Sequence, residues 1–434
     1  MATINAQDSD LREMIGRFRV LIMGRANAGK TTILQKVCNT TDDPEIYNTK
    51  GEKIDDTIVE SSIKRGNHDI KNEMVFKSSP GFVFHDSCGF EVGSEAEFED
   101  MKNFISERIH AKKLEERIHA IWYCIPMDNS SRTFQRSEEK FFLECDTGHV
   151  PVVVVFTKFE ALRPVVFGEI KKELKGLSAE ERSRRIAQRV EELFTNTGVL
   201  DRLSDPNNRA RPKSHVRLQN MNQPNANCDT LLESTIFALD EEELRLCLVS
   251  TQQSNLELCI KCAVATLVDH ANRTLGPLGI NSADYQYNIA RWFPHLNVRQ
   301  RLIHYQLTIA GKIERTWRDA IIRILQPLAA KGSLFTAGNR LIQIGIATII
   351  VLEYSAFLPI TSMNQERVIF AVDYYLKSPT AVAVEIGATE ISHQGYKKEE
   401  LEMTILKFIF ENRMCTAEFG VYQQPTAKEL TAKK

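Results

Sequence analysis

The chain has 434 residues, and its 55 basic and 57 acidic side chains give a formal net charge of −2. A hydrophobic content of 43% can furnish roughly two or three domain cores, which excludes disorder as the dominant state. The near-zero charge gives no general signature of nucleic-acid binding, so no nucleic acid is predicted as a partner.

Residues 1–16 are polar and lack the apolar core of a secretory signal, so we predict a polar extension and a cytoplasmic location. From Arg17 onward, short apolar runs alternate with helical stretches, which is typical of βα units around a mostly parallel sheet. The predicted strands are rich in β-branched and aromatic residues: Phe18–Met23, Phe82–His85, His119–Ile125, Val150–Phe156 and Leu244–Val249. Helices are predicted at Thr31–Val37, Glu97–Leu114 and Asn255–Ala271.

The pattern predicts an α/β domain over residues 17–271, with an insertion at 163–240. In the insertion, Ser178 and Glu181 form a capping box that predicts the start of a long helix. The following stretch is rich in Pro and Asn and predicts a long loop. Its cations are expected to be solvated rather than to bind phosphate: Arg209, Arg211, Lys213 and Arg217.

Residues 272–434 are predicted to form a smaller α-helical region. An apolar stripe predicts one helix, with further helices after it: Ile309, Ile313, Trp317, Ile321 and Leu325, then Arg340–Phe357, Gln365–Leu376 and Lys398–Glu411. The apolar run Leu341–Leu352 is shorter than the ~20 residues of a membrane span. A buried core helix is therefore predicted there, and membrane contact by this region is the less favoured alternative.

The strongest motif is GRANAGKT, which directly follows a predicted strand and opens a predicted helix. It matches G-x-x-x-x-G-K-[ST], a loop whose glycines permit a tight turn and whose backbone N–H groups converge on phosphate oxygens. Lys30 is predicted to neutralise the β and γ phosphates, and Thr31 to bind Mg²⁺. The other predicted phosphate contacts are Gly24, Arg25, Ala26, Asn27, Ala28, Gly29 and Thr32.

Two further motifs follow predicted strands. Asp86-Ser-Cys-Gly89 has the D-x-x-G form, in which the Asp holds Mg²⁺ through water and the Gly amide contacts the γ phosphate. Thr157-Lys158-Phe-Glu160 occupies the place of [NT]-K-x-D in guanine-binding proteins. The carboxylate of Glu160 keeps the acceptors for guanine N1 and N2, with one methylene more than Asp.

Two weaker assignments complete the predicted site. Ser250 and Thr251 follow the predicted strand Leu244–Val249 and are expected to offer a backbone amide to guanine O6. Thr57 is predicted to close onto Mg²⁺ and the γ phosphate as a switch residue, with Ser61 or Ser62 as substitutes.

In this order, GRANAGKT, DSCG, TKFE and STQ resemble the small-GTPase-like G domain of the translation-factor-related P-loop class. Asn27 resembles the Era and TrmE branch, and VFHDSCGFE and IWYCIPMD are similar to stretches of fungal G-domain proteins. The resemblance implies binding of GTP and GDP, slow hydrolysis, Mg²⁺ as cofactor, and switch segments read by an effector or activating protein. It also implies that Asn27 coordinates K⁺ in a catalytic role.

Two departures from the family pattern keep alternatives open. Glu160 replaces an Asp, and Phe90 stands where Ras-like members carry a water-positioning Gln. A GTP-hydrolysing switch is favoured over a binding-only scaffold and over a P-loop ATPase or kinase, whose lid would use the arginines of residues 182–189. Three further functional roles are less favoured than a structural or solvated one. They are Arg25 as a charge donor, His85 as a catalytic group, and Cys259 with Cys262 as a metal pair.

Overall fold

The computed structural model describes residues 17–54, 69–87, 95–129, 134–252, 255–273, 282–293, 320–328, 337–358, 364–393 and 396–414. These residues form two compact units, one within Gly16–Gln252 and one within Gln253–Lys434. The helix Leu256–Arg273, which the sequence analysis assigned to the first domain, belongs to the second unit.

The first unit contains a seven-stranded sheet in the order β2-β3-β4-β1-β5-β6-β7. The strands are β1 (Phe18–Gly24), β2 (Glu45–Tyr47), β3 (Glu73–Val75), β4 (Phe82–Asp86), β5 (Ala120–Pro126), β6 (Val152–Thr157) and β7 (Pro212–Arg217). Five neighbouring strands run parallel, namely β4, β1, β5, β6 and β7, whereas β2 and β3 form an antiparallel edge. The mostly parallel sheet expected from the sequence is therefore confirmed.

Helices flank the sheet and bury its central strands on both faces. Every residue of β1, β5 and β6 is buried, as continuous apolar runs such as VVVVFT require. The described helices of this unit are α1 (Lys30–Val37), α2 (Glu95–Ile109), α3 (Arg136–Glu144), α4 (Leu162–Ile170), α5 (Ala179–Asn196), α6 (Val199–Leu203), α7 (Asp229–Ala238) and α8 (Glu242–Gln252). Ser178 caps α5 as predicted, since its Oγ accepts a hydrogen bond from the Glu181 N–H at 3.2 Å.

Two local predictions are wrong. The segment Leu244–Val249 is not a strand but lies inside α8, where Leu244 and Leu248 are buried one helical turn apart. The stretch predicted as a long loop, residues 204–229, contains β7, and α7 begins at its last residue. Strand β7 is polar because it forms the edge of the sheet, where cations such as Lys213 are common, and the sequence pattern of a buried strand is therefore absent.

The second unit is helical, as predicted. Its described helices are α9 (Leu256–Arg273), α10 (Ser282–Ala290), α11 (320–328), α12 (Ala337–Phe357), α13 (Asn364–Lys377), α14 (Pro379–His393) and α15 (Lys398–Glu411). Helix α12 packs against α9, α10, α13 and α14, and the whole run Leu341–Leu352 is buried in it. A Cβ on Gly345 would lie 2.4 Å from atoms of Leu267 and Tyr285, so only glycine permits this close approach.

The apolar run is thus a core helix, as expected. None of the described helices combines the length and the apolar character that crossing a membrane requires. Of the predicted stripe, Ile321 and Leu325 are buried in α11, whereas Ile309, Ile313 and Trp317 lie outside the described residues.

Candidate functional site

The parallel strands bring the predicted motifs to one edge of the sheet. Strand register fixes this alignment: Ile22 pairs with Asp86, Gly24 with Cys124, Pro126 with Thr157, and Phe156 with Arg217. The chain leaves β1 toward β2 on one side of the sheet, and it leaves β5, on the other side of β1, toward β6. The direction of the connections therefore reverses between β1 and β5. Open α/β sheets bind ligands at such a point, at the carboxyl ends of the strands.

The loop between β1 and α1 adopts the conformation that a phosphate cradle needs. A Cβ on Gly24 would lie 2.4 Å from the Cys124 carbonyl oxygen, so this position requires glycine. Asn27 and Gly29 have φ values of 59° and 82°, in the left-handed region. Helix α1 begins at Lys30, and the N–H groups of its first turn lack acceptors within the helix. The loop and the helix start together form an anion-binding site.

Lys30 lies at the centre of this cradle and is only 8% exposed. Its Nζ donates to the carbonyl oxygens of Gly24 at 3.0 Å and Arg25 at 3.4 Å, and lies 3.6 Å from Asp86 Oδ1. Thr31, which follows at the helix start, is exposed. The ammonium group is thus held between the loop and the end of β4, where it can neutralise phosphate oxygens.

Asp86 ends β4 beside Lys30 and carries a carboxylate that is largely buried. Burial raises the pKa of its carboxyl to about 6, although Lys30 acts in the opposite direction. Within the described part of the chain, the buried Oδ1 has no hydrogen-bond partner. The same part of the chain contains no group of three or more His, Cys, Asp or Glu side chains arranged for a metal. A carboxylate oxygen of this kind suits Mg²⁺, which keeps several waters and takes few protein ligands.

Arg25 is not in solvent, contrary to the favoured expectation. Its Nε lies 2.9 Å from Oε1 of Glu138, and the two side chains are 11% and 0% exposed. The other oxygen of Glu138 accepts hydrogen bonds from the N–H of Gln135 and the Oγ of Ser137, so the same carboxylate caps α3. The pair ties the second residue of the phosphate loop to the start of α3, and directs the guanidinium to a carboxylate.

The segment TKFE lies beside the loop that follows β7. Thr157 is buried, and Lys158 has a φ of 52° and forms an ion pair with Asp128, Nζ to Oδ2, at 2.6 Å. Glu160 Oε2 accepts a hydrogen bond from the Asn220 N–H at 2.9 Å. The carboxylate expected to contact a base is therefore held by a loop that the sequence analysis did not assign to the site.

Ser250 and Thr251 lie away from the site, near the residue that precedes the start of β4. Both are in α8, and their hydroxyl groups donate to the carbonyl oxygens of Leu246 and Cys247 within the helix. A Cβ on Gly81 would lie 3.0 Å from Thr251 Cγ2. Gly81 precedes β4, whereas Asp86 ends it, which puts about 15 Å of strand between Thr251 and the site. The expectation that this segment borders the base is wrong, because β7 occupies the last position in the sheet.

Sequence reasoning therefore missed the residues after β7, together with Asp128 and Glu138. The alternation of His215, Val216, Arg217 and Leu218 was the available sign of a half-buried strand. The long polar stretch around it obscured that short pattern.

Other predicted groups have structural roles or lie outside the described residues. Thr57, Gly89 and Phe90 belong to the latter group. His85 is buried with Nε2 2.7 Å from Arg19 Nη1, and burial, assisted by Arg19, lowers its pKa to about 3. Cys259 and Cys262 are buried in α9. Arg184 and Arg189 on α5 form surface ion pairs with glutamates.

Comparison with known proteins finds distant structural similarities. No protein-family model matches the sequence, and no curated protein is significantly similar to it. Two solved structures, both from work on an oligomerised bacterial dynamin pair and its long-range sensing and tethering of membranes, share 14% and 12% identity with the chain. They cover 94% and 96% of this chain and 76% and 71% of their own, with TM-scores of 0.28 and 0.26. At these values the similarity assigns no function, and the site rests on its own geometry.

Proposed function

We propose that the protein binds GTP and GDP and acts as a slow GTPase, a nucleotide-dependent switch of the cytoplasm. The observation that carries the proposal is the phosphate cradle at Gly24–Thr31, with the Lys30 ammonium 3.6 Å from a buried carboxylate at the end of β4. A loop of this shape, opening a helix at the switch point of a parallel sheet, binds the phosphates of nucleotides.

In this proposal, the backbone of residues 24–32 surrounds the phosphates and Lys30 neutralises the β and γ groups. Thr31 and Asp86 hold Mg²⁺, the Asp through water. Thr57 and Gly89 keep the roles that the motif order assigns to them, as contacts of the γ phosphate. Bound Mg²⁺ would neutralise charge that develops on the phosphates during transfer.

Guanine is the proposed base because the TKFE segment follows β6 at the same edge of the sheet as the phosphate loop, where the carboxyl ends of the parallel strands lie. Thr157, Lys158 and Glu160 lie at the end of β6, two strands from β1. The Glu160 carboxylate can accept hydrogen bonds from the N1 and N2 donors of guanine, which adenine lacks. Ser250 and Thr251 take no part, and the backbone after β7 replaces them beside the base.

We further propose that the chain is related to Era-like and TrmE-like GTPases and to fungal G-domain proteins, and that Asn27 coordinates K⁺. Arg25 is paired with Glu138, so the loop has no guanidinium directed at the phosphates, and a cation bound by Asn27 would supply that charge. An effector or activating protein would then recognise the GTP-bound state. The binding-only alternative is favoured by Phe90, whose side chain cannot orient a water.

The test is a competition titration of GTP, GDP and ATP against the purified protein with Mg²⁺ present. We expect GTP to bind at least ~100-fold more tightly than ATP, a difference of about 2.7 kcal/mol. Equal binding of ATP would favour the ATPase or kinase alternative, and no binding of any nucleotide would overturn the proposal.

Hydrolysis is then measured in K⁺ and in Na⁺. Faster turnover in K⁺ alone supports the role of Asn27, equal rates remove it, and binding without turnover favours the scaffold.

A further inference from the structure

Lys36 joins the helix of the phosphate loop to a distant segment. It lies in the last turn of α1, and its Nζ donates to the carbonyl oxygens of Gln223 at 2.6 Å and Pro224 at 3.3 Å. Both carbonyls belong to residues 218–228 between β7 and α7, which we call the base loop. One ammonium group thus holds two successive peptide units of this loop.

The base loop is anchored at its two ends. Leu218 is bonded through its backbone to Phe156 at 2.8 Å and to Phe159 at 3.1 Å, and Cys228 is buried against α1. The loop consists of two consecutive turns, closed by hydrogen bonds from Gln223 N–H to Asn220 O at 2.9 Å and from Ala226 N–H to Gln223 O at 3.2 Å. Residues 222–225 are all exposed, so apolar burial contributes little to holding them. Between these ends, the polar contacts with Glu160 and Lys36 tie the exposed segment to β6 and to α1.

These two contacts join the loop to two different elements of the unit. The Asn220 N–H bonds to Glu160, a residue of the proposed base site, and Gln223 O bonds to Lys36 three residues later. Loss of the Lys36 contact would free the second turn and allow Asn220 to move relative to Glu160. The position of the Glu160 carboxylate therefore depends on a side chain that touches neither base nor phosphate.

We propose that Lys36 is a positioning residue for base selection, an inference that rests on the proposed function of the site. Lys36 lies six residues after Lys30, about 9 Å along the helix axis, which is too far for a role at the phosphates. Its charge strengthens the two hydrogen bonds to the base loop. Lys36 thus sets the discrimination between guanine and adenine and leaves phosphate affinity unaffected.

The test compares the wild type with Lys36→Met, which keeps most of the aliphatic chain and removes the donor, and with Lys36→Arg, which restores a cationic donor. Lys113→Met is the matched control, because Lys113 is 67% exposed and its contact is a surface ion pair with Glu116. Dissociation constants are measured by competition for GTP, ATP and inorganic tripolyphosphate, the last of which has no base.

We expect Lys36→Met to weaken GTP binding about tenfold, since charged hydrogen bonds contribute on this scale. ATP and tripolyphosphate should bind as they do to the wild type, so the GTP/ATP discrimination falls about tenfold as well. Lys36→Arg should recover most of the discrimination, and Lys113→Met should not change it.

Three outcomes would overturn the proposal. Unchanged discrimination in Lys36→Met removes Lys36 from base selection while leaving the proposed function intact. Equal weakening of all three ligands shows that Lys36 stabilises the phosphate helix. A wild type that does not discriminate between GTP and ATP refutes the proposed function itself, and this inference with it.

Discussion

The proposed site has a phosphate side and a base side, and the two are built in different ways. The phosphate side consists of one continuous loop, Gly24–Thr31, and a carboxylate supplied by the adjacent strand. The base side brings together the end of β6, the base loop and α1, through contacts between residues 60 and 187 positions apart. A contiguous loop is specified locally, whereas the base side exists only once distant segments have packed. Substitutions on the two sides should therefore have different consequences.

The largest effect is expected from Lys30→Ala, on the phosphate side. Removal of the ammonium should weaken GTP and ATP alike by at least ~1000-fold, about 4 kcal/mol, because the other cation of the loop, Arg25, is paired with Glu138. Competition titration measures both ligands, and the thermal unfolding midpoint serves as the control for folding. Selective loss of GTP alone would contradict the division into two sides.

The next effect concerns the anchoring of the phosphate loop. Arg25→Met should lower the free energy of unfolding by about 3 kcal/mol, because it leaves the Glu138 carboxylate buried without its cation. The double variant Arg25→Met with Glu138→Gln removes that uncompensated charge and should recover much of the loss. Urea denaturation of the three proteins checks this, and a double variant no more stable than Arg25→Met would contradict it.

Asp86→Asn should raise the free energy of unfolding by about 2 kcal/mol at pH 7.5, since the variant lacks the cost of a buried carboxylate. The pKa of Asp86 is raised from 3.8 to about 6, so the folded protein binds the extra proton between those values. The stability of the wild type therefore falls as pH rises from about 4 to 6, and the gain of the variant should vanish at pH 4. Urea denaturation at both pH values measures it; a gain independent of pH would exclude Asp86 as its source.

The smallest effect is expected on the base side. Glu160→Ala should weaken GTP about tenfold and leave ATP unchanged, because the substitution removes one base contact and one restraint on the base loop. Glu160→Gln keeps an acceptor for the Asn220 N–H and should lose less. Parallel titrations with GTP and ATP give the ratio, and an equal loss for both nucleotides would place Glu160 on the phosphate side.

The sequence predicted the local structure of the proposed phosphate side well because this structure depends on neighbouring residues. Apolar runs at Phe18–Met23 and Phe82–His85 form β1 and β4, since burial on both faces leaves a pattern that is visible without the fold. Gly24 and Gly29 mark backbone conformations that other residues rarely adopt. Lys30 and Asp86 follow from these strands by register.

The base side was predicted only at TKFE. The segment Leu244–Val249 has the composition of a strand but forms part of α8. Strand β7 takes the last position in the sheet, and α8 packs against β1 and α7. Strand β7 carries cations on an exposed edge, so hydrophobicity does not distinguish it from a loop. Neither fact can be inferred from the residues of either segment considered alone.

The alternating α/β unit, the loop Gly24–Thr31 with Lys30, and the carboxylate at the end of β4 could all be predicted from the amino-acid sequence. The fold was needed to show that Arg25 is paired with Glu138, that Glu160 bonds to the base loop, and that Thr251 lies near the start of β4. The reason is the range of the interactions. The loop glycines and the apolar runs of β1 and β4 are visible within a few residues, whereas ion pairs and loop contacts depend on segments that meet only in the folded chain.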